Sequence, residues 1–273
     1  EFRPISFPIM TTPFVAPGDV ITTESGFLWG HGTKLDETNK LLRASVAGFV
    51  EQVNKLLTVR PLTQRYSGEI GDVIVGRVVG IGDKRWRLDI NSRQDGVLML
   101  SAIHLPGGVQ RRRTDEDSLQ MRSVFDEGDL ISAEVQSFYA DGAIALHTRT
   151  SKYGLLGKGM FVVVRQSLVK RCKQHFVRLP QVEVDVIFGN NGYIWIGEGD
   201  SPASAEQLER MARVRRCIVA LDRMFVSIFP DTVMDVYGDS LEMGVPASEI
   251  THPDQIGRLT QKAVLRQQQH NNL

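Results

Sequence analysis

Cysteine is scarce in this chain of 273 residues, which contains only Cys172 and Cys217. Zinc ribbons and disulfide frameworks need several cysteines at characteristic spacings, so both classes are excluded, and the scarcity suits a reducing compartment. The chain also lacks any run of eighteen apolar residues, so we expect no membrane span. Its first residues do not form a charged and then apolar leader, so secretion is not expected.

The chain has no excess of either charge, since 32 Lys and Arg residues balance 32 Asp and Glu residues. Proteins that hold RNA by electrostatics alone usually carry a basic excess, because phosphate neutralisation dominates their affinity. Neutrality therefore argues against a free-standing RNA-binding protein, but it allows a local basic patch or a subunit of a larger assembly. The apolar and charged fractions, 42% and 23%, are ordinary for a globular protein of two or three small domains.

Recognisable catalytic and metal-binding motifs are missing as well. The six histidines form no HxH or HExxH pair, and two short glycine pairs lack the Lys and Ser/Thr of a phosphate loop. The acidic trio Asp115–Asp117 could hold a metal ion, but no second carboxylate group accompanies it at a recognisable spacing. We therefore expect no metal, no cofactor and no catalytic residue.

Runs of β-branched residues, separated by turn residues, divide the first part of the chain into β modules. Residues 1–16 are rich in Pro, Phe and Thr and are predicted to form an extended arm. Short apolar runs predict a small β domain over 17–67, and five further runs predict an OB-type barrel over 68–150 with a long insertion at 102–127. The predicted barrel strands are 73–79, 84–90, 96–101, 130–138 and 143–147.

Strands and helices are mixed in the rest of the chain. A helical period of apolar residues predicts a helix over 203–224, with Pro230 beyond its end. These elements define an α+β domain over 151–246, and residues 247–273 are predicted to form a C-terminal helix and a polar tail. The predicted fold is therefore mainly β with an α+β C-terminal part. The predicted strands of the α+β domain are 162–165, 182–188 and 193–196.

Charged residues of the second barrel strand are the first candidates for RNA binding. Trp86 points to the face opposite Arg85 and Arg87, because side chains alternate along a strand. We interpret Trp86 as a core residue, with base stacking as the alternative. The two arginines are candidate RNA contacts, because OB folds present their second and third strands to oligonucleotides.

The long insertion carries a second candidate group, Arg111, Arg112 and Arg113, followed at once by the acidic trio. Three arginines could grip phosphates or contact a neighbouring subunit, and both interpretations remain open. Blocks of opposite charge on one loop also suit a solvated surface that pairs with itself.

Gly189, Asn190, Asn191 and Gly192 have the form of a GXXG loop, which in KH domains brings the RNA backbone close to the main chain. A gripping GXXG loop joins two helices, whereas the runs on both sides of this one are predicted strands. We therefore predict a hairpin turn with a structural role, because Asn and Gly tolerate the positive φ that such turns need. Trp195, just after the turn, is expected to pack sideways against the barrel.

Several motifs, taken in order, resemble landmarks of a known family. An S1 domain, which is an OB-type RNA-binding barrel, is suggested by 71–78, 95–101, 127–130 and 146–149. With the flanking motifs at 29–33, 105–108, 146–153 and 189–195, the chain resembles an S1/KH cap subunit of the eukaryotic RNA exosome. It is similar to the ribosomal RNA-processing protein 4 type, and GHGT at 30–33 favours this type over the sister S1/KH cap subunit. The similarity covers about 17–200.

The resemblance implies a small β N-terminal domain, a five-stranded S1 barrel and a divergent KH domain. It implies a non-catalytic subunit that sits on a ring of RNase PH-like proteins beside other cap subunits. Such a subunit stabilises the ring and lines the entrance for single-stranded RNA in 3′-to-5′ RNA processing and degradation. The expected locations are the nucleus, with the nucleolus, and the cytoplasm. A free-standing S1/KH regulator and a nuclease are the alternative functions.

The resemblance also changes the expected mode of RNA binding. Positions at which many S1 domains carry stacking residues fall here on Lys84, Arg87 and Met99, so charge replaces most of the stacking. The candidate RNA-binding residues are Lys84, Arg85, Arg87, Arg111, Arg112, Arg113 and Arg149.

Overall fold

The computed structural model describes residues 14–24, 26–36, 38, 41–104, 115–179, 181–198 and 204–265. The chain divides into two compact units, one ending at Gln64 and one starting at Arg65. Among the described residues, no helix combines the length and the apolar character needed to cross a membrane.

The first unit consists of short strands around a small apolar core. The strands are β1 (Phe14–Val15), β2 (Val20–Thr22), β3 (Leu28–Trp29), β4 (Thr33–Asp36), β5 (Leu41–Ala44), β6 (Gly48–Val53) and β7 (Leu56–Pro61). One sheet has the strand order β1-β6-β7-β3 and the other has the order β2-β5-β4. The hairpin between β6 and β7 turns at Asn54, whose φ is 55°.

The second unit begins with a closed barrel of five strands. The strands are β8 (Val73–Gly82), β9 (Arg85–Asp89), β10 (Gly96–Ile103), β11 (Leu130–Phe138) and β12 (Ile144–Thr148). Their order is β12-β10-β9-β8-β11, and pairing of β11 with β12 closes the barrel. The predicted five-stranded OB-type barrel is confirmed. Between β10 and β11 the structure has two short helices, α1 (Asp115–Leu119) and α2 (Met121–Val124).

An α+β part follows the barrel in the same unit. Its sheet has the order β14-β17-β16-β15, and a separate short strand β13 pairs with β11 of the barrel. The strands are β13 (Gly154–Leu155), β14 (Gly159–Val163), β15 (Phe176–Leu179), β16 (Val184–Phe188) and β17 (Tyr193–Gly197). The helices are α3 (Ala205–Arg223), α4 (Pro230–Glu242) and α5 (Pro253–Leu259), and residues 261–265 are also helical. This arrangement confirms a mainly β fold with an α+β C-terminal part.

The two faces of the α+β sheet have different neighbours. Side chains on one face share a large apolar core with α3, α4 and α5, and Ile256 and Leu259 of α5 belong to that core. On the other face Ile187 and Tyr193 pack with Val75 of the barrel strand β8. The barrel therefore covers part of the sheet face that the helices leave open.

Candidate nucleic-acid interface

Arg85 and Arg87 lie on the outer face of β9, and both are exposed. Arg85 pairs across the sheet with Met99, and Arg87 pairs with Val97. The guanidinium of Arg87 lies across Gly80, where a Cβ atom would be only 2.8 Å from Nη2. Two cations two residues apart on one strand are suited to contact neighbouring phosphates without reading the bases.

Arg87 is partly neutralised by a carboxylate of the barrel. Its Nη1 is 3.8 Å from Oδ2 of Asp95, and both side chains are about half exposed, at 60% and 46%. An exposed pair at this distance is weak and is screened by salt, so the guanidinium stays available to an anionic ligand.

Lys84 occupies the turn between β8 and β9, next to Arg85. Its φ is 60° and that of Asp83 is 39°, so two consecutive residues of the turn are left-handed. Lys84 is exposed, and its backbone carbonyl accepts a hydrogen bond from the amide of Leu100 at 2.9 Å. The turn therefore places Lys84 beside the two arginines.

The other predicted RNA contacts do not join this group. Arg149 is exposed and directly follows Thr148, which pairs with Ile103 on β10. Ile103 is four residues beyond Met99, the partner of Arg85, and Arg149 is one residue beyond Thr148, so Arg85 and Arg149 are separated by about 16 Å along the strand direction. Arg111, Arg112 and Arg113 lie outside the described residues.

Trp86 is a core residue, as the alternation of β9 predicts. Its ring is fully buried, packs edge-to-face on Phe125 at 5.3 Å, and donates its indole N–H to the Phe125 carbonyl at 3.0 Å. The alternative of base stacking is therefore wrong for Trp86.

The GNNG sequence forms the turn of an antiparallel hairpin between β16 and β17. The amide of Gly192 donates to the carbonyl of Gly189 at 3.0 Å, and the φ of Gly192 is 83°. No helix begins at this turn, so the helix N-terminus that would bind phosphate in a gripping GXXG loop is missing from it. The predicted hairpin is confirmed.

The two asparagines of the turn are inserted into the barrel. Asn191 is completely buried, and its Nδ2 donates to the carbonyls of Val75 at 2.7 Å and Ile90 at 3.0 Å. Its own carbonyl accepts from Nδ2 of Asn91 at 2.9 Å. The side-chain amide of Asn191 thus satisfies backbone groups of β8 and of the end of β9, which joins the barrel and the α+β sheet.

Asn190 adds a second set of bonds to the start of β8. Its amide donates to the Val73 carbonyl at 2.9 Å, and its Nδ2 donates to Asp72 at 2.8 Å. The buried carboxylate of Asp72 also accepts from the Tyr66 hydroxyl at 2.7 Å. Arg171, which forms an ion pair with Glu69, lies 3.4 Å from the same carboxylate. These contacts, with the bonded amides of Gly189, Asn190 and Gly192, make the turn a structural junction.

Trp195 packs beside the junction on the sheet face that looks toward the barrel. It is partly buried next to Ile187, Tyr193 and Val75, as expected from the sequence. Its indole lies directly against Gly159 and Gly197. A Cβ atom on Gly159 would be only 2.6 Å from the indole nitrogen. Glycine at these paired positions lets the ring lie close to the sheet.

Two tyrosines of the junction should make stability depend on alkaline pH. Burial, and then a hydrogen bond to Asp72, raises the pKa of Tyr66, and burial with a bond to Asp89 raises the pKa of Tyr193 to about 12. The ordinary value is about 10. Since the folded state holds these protons more tightly, their contribution is complete below about pH 10 and is lost as the pH rises toward 12.

We therefore expect the free energy of unfolding to fall above about pH 10, as measured by urea unfolding at a series of pH values. The double variant Tyr66→Phe/Tyr193→Phe should be less stable at neutral pH and should lose less stability in the alkaline range. An unchanged alkaline slope in the double variant would contradict this assignment.

The chain contains a basic stretch at 142–182, of which only Arg149 is among the RNA contacts predicted from the sequence. Residues 142–182 contain eight Lys and Arg residues and no Asp or Glu, although the whole chain is neutral. Arg165 is used internally, in a 2.9 Å ion pair with Asp222, and so is Arg171. The other six are exposed: Arg149, Lys152, Lys158, Lys170, Lys173 and Arg178. A count of charge along the sequence would have found this stretch.

Among the described residues, no group of three His, Cys, Asp or Glu side chains could hold a metal ion. The two cysteines are reduced, and burial raises the pKa of Cys217 to about 12, so this thiol is inert at neutral pH.

Comparison with known protein families identifies three regions of the chain. Residues 14–53 match the family described as "Exosome complex exonuclease RRP4 N-terminal region". Residues 65–137 match "RRP4, S1 domain", and residues 159–202 match "KH domain".

Curated relatives match over most of the chain. "Exosome complex component RRP4" of Bos taurus is 49% identical over 241 residues, which is 83% of this chain and 81% of the relative. The "Exosome complex component RRP4 homolog" of Caenorhabditis elegans is 35% identical over 266 residues, 91% of this chain and 86% of its own. "Exosome complex component RRP4" of Saccharomyces cerevisiae is 48% identical over 182 residues, 67% of this chain and 50% of the relative.

Proposed function

Because the chain belongs to the RRP4 family of exosome components, we propose that it is a non-catalytic, RNA-binding cap subunit of the RNA exosome. The observation that carries the proposal is the order of three matched regions along one chain, an RRP4 N-terminal region, an RRP4 S1 domain and a KH domain. The exposed cations on the barrel supply the chemistry that an RNA ligand needs.

The finer proposal is that the chain stabilises a ring of RNase PH-like subunits and lines the entrance through which RNA reaches them. Arg85 and Arg87 support a role at an entrance, because phosphate contacts hold RNA without selecting its sequence. The aromatic residue between them is turned into the core, so passing bases would find no stacking platform there.

Purification of the tagged chain from cells tests assembly. Recovery of ring subunits and other cap subunits in fixed ratio would support the cap subunit, whereas recovery of mRNA without ring subunits would support a free-standing regulator. We also propose action in the nucleus, the nucleolus and the cytoplasm, which imaging of the tagged chain at its natural level would test.

A nuclease assay tests the proposed lack of catalysis, since one matched family description contains the word exonuclease. Purified chain is incubated with labelled RNA, magnesium and phosphate. We expect the RNA to stay intact. Degradation that disappears when the Asp115–Asp117 trio is changed to asparagine would overturn the proposal.

RNA binding by the isolated chain is expected to be weak and strongly dependent on salt. With roughly four phosphate contacts at about −0.7 each, log affinity should fall against log salt with a slope of about −3. Fluorescence anisotropy with a labelled single-stranded oligonucleotide measures the slope over about 50 to 200 mM salt. Tight, sequence-selective binding that is insensitive to salt would contradict this prediction.

The contribution of β9 is tested with the double variant Arg85→Ala/Arg87→Ala, which should reduce the magnitude of the slope by about 1.4. Lys55→Ala, which removes an exposed cation from the hairpin between β6 and β7, is the control and should leave the slope unchanged.

A further inference from the structure

Three exposed cations of the basic stretch at 142–182 come together where the barrel meets the edge of the α+β sheet. Nζ of Lys152 lies 4.6 Å from the ring centre of Tyr153 and 5.9 Å from that of Phe176. Phe176 and Arg178 share one face of the edge strand β15, because they are two residues apart. Lys152 and Arg178 are therefore both neighbours of the Phe176 side chain.

Arg149 extends this group along the barrel. The rings of His147 and Tyr153 are 6.4 Å apart, and those of Tyr153 and Phe176 are 5.6 Å apart. Burial, and to a smaller extent the nearby Arg149, lowers the pKa of His147, against the effect of Glu134. We call the surface formed by Arg149, Lys152 and Arg178 around these rings the seam.

The cations of the seam are not neutralised by the described residues, with none of which they form a salt bridge. Two carboxylates lie nearby. Glu134 accepts a hydrogen bond from the Tyr153 hydroxyl at 2.6 Å, and Asp185 is the partner of Arg178 across β15 and β16. The seam thus presents three exposed positive groups that form no salt bridge with these carboxylates or with the other described residues.

We propose that the seam is a second RNA-binding surface, which holds the phosphate backbone of a single strand between the barrel and the α+β sheet. This inference rests on the proposed function, since it assigns a further surface for the same kind of ligand. Clustered exposed cations can hold the phosphates of a single strand without reading its bases, and the buried Tyr153 ring supports Lys152 rather than stacking on a base.

The seam is separate from the arginines of β9. In the closed barrel β9 pairs with β8 and β10, whereas the seam lies against β11 and β12. These two strands are on the other side of the barrel from Arg85 and Arg87. Phosphate contacts at the seam therefore add to those at β9, and the two surfaces can be removed one at a time.

The experiment measures binding of a fluorescein-labelled oligouridylate to the full chain by anisotropy over a range of salt concentrations. The triple variant Arg149→Ala/Lys152→Ala/Arg178→Ala is expected to bind at least about tenfold more weakly at low salt and to reduce the magnitude of the log–log slope by about 1.4, which is two of the roughly four phosphate contacts at about 0.7 each. Lys152→Arg alone should retain wild-type binding, because it keeps the charge.

The matched control removes three exposed positive charges elsewhere, in Lys55→Ala/Lys158→Ala/Arg258→Ala. It should keep the wild-type slope, and circular dichroism should show the same fold for both triple variants. If the wild-type chain binds no RNA even at low salt, the proposed RNA-binding function fails and the seam fails with it.

Two further outcomes overturn the seam alone. One is that the Arg85→Ala/Arg87→Ala variant loses affinity while the seam variant binds like the wild type, which leaves the proposed function standing. The other is that a polyglutamate peptide binds more tightly than the RNA and only when the seam is intact. That result would assign the seam to an acidic protein segment.

Discussion

Replacement of Gly192 by aspartate is expected to destabilise the chain by more than about 4 kcal/mol, because two costs coincide at one residue. Gly192 is buried with a φ of 83°, a left-handed conformation that disfavours a side chain. A Cβ atom there would overlap the carbonyl oxygen of Val164 and lie 3.0 Å from the amide of Gln166. Both obstacles are backbone atoms, which cannot move aside like the end of a flexible side chain.

Gly142 provides a control that separates the backbone strain of a positive φ from the steric overlap of a Cβ atom with neighbouring atoms. It also closes a hairpin turn, its amide donates to the Tyr139 carbonyl at 2.9 Å, and its φ is 87°. A Cβ atom on Gly142 would meet nothing within 4 Å. Gly142→Asp should therefore cost only about 1 kcal/mol in urea unfolding. Equal losses in the two variants would contradict the role of overlap at Gly192.

The same variant distinguishes a structural turn from an RNA clamp. Gly192→Asp should lower stability and recovery in the assembled exosome, while the RNA affinity of the remaining folded protein changes little. If it proves insoluble, Gly192→Ala keeps the overlap without the charge and serves for the same measurements. A folded, stable variant that has lost RNA affinity would restore the interpretation of the turn as a clamp.

The barrel could be predicted from the sequence because its strands are short apolar runs between turn residues, and β9 alternates strictly between core and solvent. Trp86 and Leu88 point inward while Arg85 and Arg87 point outward, and this period is visible in the letters alone. Gly128 and Gly142, at positive φ, supply the turns that the sequence places between strands. Local patterns of this kind need no knowledge of distant residues.

Helix α4 could not be predicted in the same way, because its first residues do not look like a helix start. Pro230 lies beyond the end of α3, as predicted, but it is also the first residue of the next helix, a position that proline tolerates. The residue before it, Phe229, has no capping side chain, and its amide donates instead to Oγ1 of Thr232 at 3.2 Å. The cap therefore comes from a residue inside the helix, and a threonine at that position does not predict a helix start.

The same difference applies to the candidate site, because its local features could be predicted from the sequence and its long-range contacts could not. The GNNG turn is local and was predictable, whereas the partners of Asn191 on β8 and β9 are about a hundred residues away. The seam depends on the approach of Lys152 to Phe176, which only the folded chain shows. The sequence shows which residues are charged, but it does not show that Arg149, Lys152 and Arg178 lie on one surface.

Asn191→Asp is expected to destabilise the chain by about 4 kcal/mol at neutral pH, although the two side chains have the same size. The amide nitrogen of Asn191 donates to the carbonyls of Val75 and Ile90. An aspartate would place a buried negative charge against two carbonyl oxygens and remove both of these hydrogen bonds. Because no cavity is created, the loss reports the buried charge and the lost hydrogen bonds rather than a change in packing.

The pH dependence of this loss identifies its cause. Burial and the two facing oxygens favour the protonated form of the new carboxyl, so its pKa is raised above the ordinary value of about 4 in the folded state. The folded variant then binds a proton that the unfolded chain releases, and its deficit shrinks as the pH falls from about 7 to about 5. Urea unfolding at both pH values measures the change.

Asn54→Asp is the matched control, because Asn54 is exposed in the turn between β6 and β7 and also has a positive φ. It should change the free energy of unfolding by less than about 0.5 kcal/mol at either pH. A deficit in Asn191→Asp that does not depend on pH would mean that the junction had rearranged. A deficit as small as that of Asn54→Asp would mean that the Asn191 amide does not hold the barrel and the α+β sheet together.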